Sequence, residues 1–514
     1  MRQKLLCVLL SVALLSFGWV GGSGLTLLVA LVPLLYISDS LGSSARDWWR
    51  MAGWASLTFV MWNAATVWWI WIATPAGPLA ATFFSTWWNM VAFMLFHYVS
   101  KRAPRSIAFT VLVAAWVATE YLYTYTEVIS FPWLTLGNGF SGDVWAVQWY
   151  EYTGVMGGTA WVLICNILIY EAWKLRSHAS YIKAAVAAAL PLALSLVIYL
   201  TYEPQTERVK VSVLQPNVDC YEEKFNNTPR KQIDNLLDLI SQSPADSKLL
   251  VMPETALPVT IDEGDPIAMN AGVGMLRNEL QRRHADAMAT IGATTVKYYD
   301  STVPPTPTAR QGMGAYYDVY NSSIAIGSDR GDLHHKMRLV IGVEAMPLFV
   351  NSFIDLGGMT GQLGRNDSAT VFERDGLKVG PAICYEGLYG EWFARFVREG
   401  AEIMLLMSND GWWGDTPGYK YLFAYCRLRA IEHRRDVARS ANTGISGFIN
   451  SRGDVLQTLG WDNKGIITEQ LRLNDKQTFY TRHGDYIGRL SLYVALLCLL
   501  YTIAVLSKRK FYLD

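Results

Sequence analysis

Seven apolar runs fill the first 202 residues, at 5–20, 25–37, 54–74, 79–99, 106–123, 155–173 and 184–202, and an eighth lies near the C-terminal end, at 488–506. Most come close to the roughly 20 residues that an α-helix needs to cross the hydrocarbon core of a bilayer. Inside lipid the backbone must satisfy its own hydrogen bonds, which leaves helices as the natural form for such runs. The opening MRQKLLCVLLSVALL has the basic start and apolar centre of a signal peptide. Six further runs follow with no small-residue cleavage site, so it reads as a retained first helix. Lipid contact also accounts for a charged fraction of only 17% and for 20 tryptophans. A formal net charge of zero implies no polyanionic partner, and no nucleic acid is expected.

Basic loops stay cytoplasmic, so they orient the chain. Arg2 and Lys4 precede the first run, and Arg46 and Arg50 lie between the second and third. KRAPR (101–105) lies between the fourth and fifth; Lys174, Arg176 and Lys183 lie between the sixth and seventh; SKRK (507–510) follows the last. The alternate loops, including 124–154, carry no lysine or arginine. With eight crossings every basic loop falls on one side. The expected organisation is an all-α membrane domain of seven helices at 1–203, an outward-facing domain at 204–486, a C-terminal helix at 487–507 and a cytoplasmic tail at 508–514. Trp48, Trp49, Trp54, Trp68, Trp69, Trp71, Trp87 and Trp88 are either an aromatic belt at headgroup level or a surface for acyl chains. Asn63, Asn89, Glu120, Asn166 and Glu171 are polar within or near runs and carry no assigned role.

From Val209 the pattern changes. Strands are expected at 209–218, 248–258, 287–296, 320–327, 369–386 and 401–410, with a hairpin turn at Arg374-Asp375-Gly376. Helical periodicity appears at 229–242, 272–286 and 419–440. This alternation describes a layered α/β domain. The segment TVPPTPTARQGMGA (302–315) reads as a surface loop. Cys220, Cys384 and Cys426 are an odd set, so they cannot all pair within one chain.

Cys384 ends the apolar run of GLKVGPAICYEGLYGEWFARF, where it is either a core filler or a nucleophile presented at a turn. Two other groups stand at comparable strand ends: Glu254 in LLVMPETALP, and Lys336 closing DRGDLHHK. A thiol with an ordinary pKa of about 8.5 needs a base to become a nucleophile. A carboxylate can take that proton and later return it. An ammonium can hold the negative oxygen of a tetrahedral intermediate, worth about 3–4 kcal/mol per donor.

MPETA, the lysine before RLVIGVEAMP, and ICYEG followed by SNDGWWG resemble the nitrilase, or carbon–nitrogen hydrolase, superfamily with its Glu-Lys-Cys triad. Taken with the spans, the chain resembles that superfamily's membrane branch, the apolipoprotein N-acyltransferases. The resemblance implies an αββα sandwich in the bacterial inner membrane's outward-facing part. It also implies a ping-pong reaction without a cofactor or metal: a phospholipid gives an acyl chain to Cys384 as a thioester, and the N-terminal diacylglyceryl-cysteine of a lipoprotein takes it as an amide. Glu254 would be general base and acid, and Lys336 the oxyanion donor. Glu344 and Glu386 match supporting acids, Tyr385 the residue whose N–H completes the oxyanion site, and Trp412 an aromatic near the substrate path. Phe225 stands near a position where the family often has tryptophan, and Val343 and Ala345 depart from the common pattern.

Other readings compete. His334-His335 would suit a metal only with further ligands, and none with the right spacing is nearby. Arg427, Arg429, Arg434, Arg435 and Arg439 read as a solvated or salt-bridged face, or as a contact for lipid phosphate. Asn409 and Asp410 are either turn formers or site residues. In function, the rivals are a membrane-tethered amidase that gives its acyl-enzyme to water, and a non-catalytic lipid or lipoprotein carrier.

Overall fold

The computed structural model describes residues 1–74, 77–126, 129–221, 227–312, 314–345 and 362–511. It divides into two compact units, Met1–Tyr202 with His483–Asp514, and Glu203–Arg482.

The first unit is helical. Among the described residues, five helices are long and apolar enough to cross a membrane: Gly77–Ser100, Arg105–Tyr125, Tyr150–Leu175, His178–Thr201 and Tyr486–Ser507. The other expected spans are shorter or more polar. Arg2–Phe17 has 16 residues, and Ala45–Val67 carries Arg46, Asp47 and Arg50 in its first turns. The run at 25–37 is broken into a 3-10 turn, Gly24–Leu28, and a short helix, Val32–Asp39. Asn166 explains how that break survives. Its side chain accepts the Leu31 N–H at 2.7 Å and donates to the Leu27 carbonyl at 2.7 Å, replacing the bonds the helix loses. Glu120 does similar work for the buried segment 132–140, accepting from Leu136 N at 3.0 Å, Trp116 Nε1 at 3.0 Å and Thr159 Oγ1 at 2.6 Å. Trp49, Trp68, Trp71 and Trp87 are exposed on this unit, whereas Trp69 is buried against Trp133.

The second unit is built on two sheets. The first contains β1 (Arg208–Gln215), β2 (Leu249–Val251), β3 (Ile261–Asp262), β4 (Met288–Tyr299), β5 (Arg310–Gly312), β6 (Ala315–Ile326) and β7 (Leu333–His335). The second contains β8 (Phe372–Arg374), β9 (Leu377–Ile383), β10 (Ile403–Ser408), β11 (Val437–Ala441), β12 (Ser446–Ile449) and β13 (Val455–Leu459). The last strand, β14 (Gly465–Arg472), returns to the first sheet, whose order is β14-β1-β2-β4-β6-β5. The second sheet runs β13-β12-β11-β10-β9-β8. Each has parallel strands at its centre, β1-β2-β4 and β9-β10-β11, and antiparallel neighbours outside. β10 is buried along its whole length, as its unbroken apolar sequence requires.

Helices cover the outer faces. Pro229–Gln242 starts on Thr228, whose side chain caps Lys231 N, and buries Ile233, Leu236 and Ile240 at helical spacing. With Val273, Leu276 and Leu280 of Ala271–Arg283 they close a core over Leu214, Leu250, Ala289, Ile291 and Ile324. Gly390–Arg398 and Pro417–His433 lie on the second sheet, where Gly380 leaves room for Phe396 and Gly447 for Phe423. Between the sheets, Ser440 Oγ donates to the Leu214 carbonyl at 2.8 Å. The layers are therefore helix, sheet, sheet, helix.

Three sequence expectations change. The helix expected at 419–440 stops at His433, because Arg434 turns left-handed (φ 49°) and β11 follows. Of the two forms expected for the arginines there, the solvated one fails and the salt-bridged one holds in part: Arg429, Arg434, Arg435 and Arg439 are buried, Arg429 pairs with Glu432 and Arg439 with Asp410, and the other guanidiniums serve carbonyls of the core. The segment 302–315 is not all loop, since β5 pairs antiparallel with β6. The expected turn at Asp375 (φ 49°) and Gly376 (φ 82°) does join β8 to β9 as a tight hairpin.

Candidate active site

Parallel strands deliver side chains at their C-terminal ends, and here three neighbouring ends carry polar chemistry. β2 runs into Pro253-Glu254, β9 into Cys384 and β10 into Asn409. Lys336 follows β7, and its own N–H donates to the Asn321 carbonyl at 2.9 Å.

At the centre is Lys336, only 1% exposed. Its Nζ lies 2.8 Å from Glu254 Oε1 and 2.9 Å from Glu344 Oε2. Asn321 Nδ2 donates to both acids, to Glu254 Oε1 at 2.7 Å and to Glu344 Oε1 at 2.6 Å. The second oxygen of Glu254 accepts the Asn409 N–H at 3.0 Å, and that of Glu344 the Val340 N–H at 2.8 Å. Burial alone would push the ammonium's pKa down, but the two carboxylates and the Cys384 sulfur outweigh it and hold it above the ordinary lysine value. Lys336 is thus a permanent cation with two of its N–H groups committed.

Cys384 is buried and opens the 3-10 turn Cys384–Leu388 with φ 45°, a left-handed conformation that a side chain costs energy to adopt. A cysteine chosen only to fill a core has no need of that strain. Glu386 holds the turn shut, accepting Ile383 N at 2.6 Å and Met337 N at 2.7 Å. Its carboxylate therefore ties the cysteine's turn to the residue after Lys336. Burial, then the Glu254 charge, raises the Cys384 thiol well above its ordinary value, while Lys336 and a contact from Ser408 act the other way. At rest it is a thiol, and it needs a base.

The expected residues are placed as follows. Glu254, Lys336 and Glu344 are brought into direct contact, with Cys384 within their field. Tyr385 is buried with its ring on Tyr389, 5.4 Å between centroids. Asn409 touches Glu254 through its backbone, and its side-chain oxygen accepts from Cys220 Sγ at 2.9 Å and Asn442 Nδ2 at 3.2 Å. Beside them a recess is lined by Pro216, Val218, Leu236, Glu254, Asn409 and Asn442. Trp412 packs edge-on against Tyr221 at 5.3 Å and is half-buried. Phe225 lies outside the described residues.

Sequence reasoning missed Asn321, Ser408 and Gly292. Asn321 opens a polar run with Ser322 and Ser323 in the middle of β6, and that run was the available signal. Gly292 left none, because its role is one of space. A Cβ there would come within 2.4 Å of Thr255 N and 2.5 Å of Glu254 Cα. β4 brackets the Glu254 turn through that gap, with Gly292 N donating to the Pro253 carbonyl at 3.0 Å and Leu257 N to the Gly292 carbonyl at 3.0 Å. Gly292→Ala is expected to cost about 1–3 kcal/mol through overpacking. It should also slow alkylation of Cys384 by displacing its neighbour acid. A thermal-shift measurement with a timed chloroacetamide reaction checks both.

Comparisons with known proteins cover both units. The family described as carbon-nitrogen hydrolase matches residues 210–480, and the apolipoprotein N-acyltransferase N-terminal domain matches residues 7–168. Among curated relatives, the apolipoprotein N-acyltransferase of Chlorobaculum tepidum is 28% identical over 91% of this chain and 90% of its own. That of Thermotoga maritima is 25% identical over 92% and 88%, and that of Allorhizobium ampelinum 30% identical over 69% and 65%.

Proposed function

Because this chain belongs to the carbon–nitrogen hydrolase family, as a membrane-bound relative of the apolipoprotein N-acyltransferases, we propose that it moves an acyl chain from a membrane phospholipid to the N-terminal diacylglyceryl-cysteine of lipoproteins. Glu254 takes the Cys384 proton, and the sulfur attacks the ester carbonyl of the phospholipid. The carbonyl oxygen becomes negative and is held by Lys336 and the Tyr385 N–H. Collapse expels the lysophospholipid alkoxide, which receives the proton from Glu254, and leaves a thioester on Cys384. The α-amine of the acceptor then attacks the thioester, gives its proton to Glu254, and departs as an amide while the thiol is restored.

In this reading Glu344 keeps Lys336 aimed and Glu386 keeps the nucleophile's turn closed. Asn409, Trp412 and Phe225 belong to the substrate walls. All eight apolar runs cross the membrane, both termini are cytoplasmic, and residues 204–486 form the periplasmic domain of a bacterial inner-membrane protein. No cofactor enters any step.

The observation that carries the proposal is a buried ammonium clamped by two carboxylates next to a thiol at a strained turn, in a chain with five membrane-length helices. A membrane-tethered amidase needs a single anchoring helix, and a carrier has no use for the clamp. The test is intact-mass measurement after incubating the purified protein with phospholipid vesicles. One acyl mass should appear, resist water, and leave on adding either hydroxylamine or a diacylglyceryl-cysteine peptide. An adduct that water removes would mean a hydrolase instead, and no adduct at all would mean a carrier.

A further inference from the structure

Against the nucleophile's sulfur lies a second buried polar chain that the reaction above does not use. Ser408 closes β10, beside the strand that ends in Cys384 (Met407 is paired with Ile383), and its Oγ lies 3.5 Å from Cys384 Sγ. The same Oγ is 2.6 Å from Asp410 Oδ1. Asp410 is in turn gripped by Arg439 of β11, whose Nη2 reaches both carboxylate oxygens at 2.8 and 2.9 Å. Ser408, Asp410 and Arg439 are all fully buried. The backbone is bare where it passes this acid: a Cβ on Gly444 would overlap Asp410 Oδ2, so the carboxylate needs a glycine there to sit where it does.

We propose that Ser408 is a switchable hydrogen-bond donor to the Cys384 sulfur, parked on the Asp410–Arg439 pair while the cysteine is a thiol and turned to sulfur once the proton has left. A serine hydroxyl has one hydrogen and here faces two acceptors. While the sulfur is neutral, the charged carboxylate at 2.6 Å takes that hydrogen. When Glu254 removes the thiol proton, the electron pair stays on sulfur, which becomes the stronger and nearer-matched acceptor. The hydroxyl rotates about Cβ–Oγ, and Asp410 stays satisfied because Arg439 still holds both its oxygens. Formation of the thioester removes the charge from sulfur and the hydroxyl returns. No atom is transferred and no external reagent is needed. The inference rests on Cys384 being the nucleophile, and it supplies what Lys336 alone lacks, since that ammonium is already bound to two carboxylates.

The charged groups acting on the sulfur are Glu254 beyond β2, Lys336 beyond β7, Asp410 beyond β10 and Arg439 on β11. Glu386, on the cysteine's own turn, is spent on backbone amides. Burial and the nearby acids raise the thiol's pKa, and the Ser408 contact works against them. Removing the hydroxyl should therefore raise it further.

The experiment is the pH profile of Cys384 alkylation by chloroacetamide in the full-length, detergent-solubilised protein. In Ser408→Ala the profile's midpoint should move up by about one pH unit, and the rate below it should fall about tenfold, the size of a hydrogen bond to a charged group. Ser408→Thr, which keeps the hydroxyl, should restore the midpoint. An unchanged midpoint in Ser408→Ala, or a Thr variant no better than Ala, overturns the proposal. The chemistry needs no lipid, so a native protein alkylated at Cys384 that never forms an acyl adduct defeats the acyltransferase reading and leaves this inference standing.

Discussion

Cys384→Ala, incubated with phospholipid vesicles, should form no acyl adduct while folding as the native chain does. The substitution removes one sulfur from a buried site and leaves the backbone's left-handed turn with a residue that tolerates it about as poorly as cysteine did. The Glu386 carboxylate accepts from the Ile383 and Met337 backbone N–H groups and does not involve the Cys384 side chain, so the turn stays closed. What vanishes is the thiol that feels both charges of the Glu254–Lys336 clamp. Cys220 is buried and hydrogen-bonded to Asn409, and Cys426 donates to the Leu422 carbonyl at 3.2 Å, with burial pushing its thiol up to about 11. Burial thus works against ionising Cys426. Intact mass and peptide mapping check the result, and an adduct that simply relocates to Cys220 or Cys426 would remove Cys384 from the mechanism.

Lys336→Met should lose both activity and stability. Methionine nearly matches the length of the stem but brings no charge. Glu254 and Glu344 would remain joined through Asn321 Nδ2, at 2.7 and 2.6 Å, with no cation between them. Two carboxylates in one site resist ionising together, so one takes a proton and the base is compromised. Loss of the oxyanion donor alone costs about 10²–10³ in rate. Acylation should therefore fall by at least about a thousandfold. Because Lys336 is 1% exposed, breaking the pair should also cost about 3–5 kcal/mol of stability. Single-turnover acylation and a melting curve separate the two effects. Glu344→Gln in the same background should recover stability without recovering rate, since it removes the surplus charge but supplies no donor. A Lys336→Met protein acylating at the native rate would exclude the lysine from catalysis.

How far local pattern reaches is visible in particular residues. The helix Pro229–Gln242 follows from Thr228, Pro229 and three apolar positions, all close in sequence. The hairpin at Asp375-Gly376 follows from two residues that tolerate a positive φ. Glu254 and Cys384 could be picked out because each ends an apolar strand, where the change from apolar to reactive is abrupt, and Lys336 because it closes the polar run DRGDLHHK just before an apolar stretch. Arg439 shows the limit. Beside Arg434 and Arg435 it looks like one charge on a wet face, and nothing nearby in sequence announces that Asp410 waits on the adjacent strand. Gly292 and Ser408 are more hidden still, since a gap and a rotatable hydroxyl leave no mark on periodicity.

By itself, then, the sequence determined a membrane-embedded part and a layered α/β part, together with the three residues whose chemistry fits acyl transfer. Apolar length and strand-end chemistry are local properties, and the chain carries them openly. Only the tertiary structure decided that the lysine is shared by two acids, that the arginines are inside, that the second apolar run is broken at Leu31 and mended by Asn166, and that Ser408 stands against the sulfur. Each of these depends on which strand or helix lies next to which, and that order is set by packing between segments far apart in the chain.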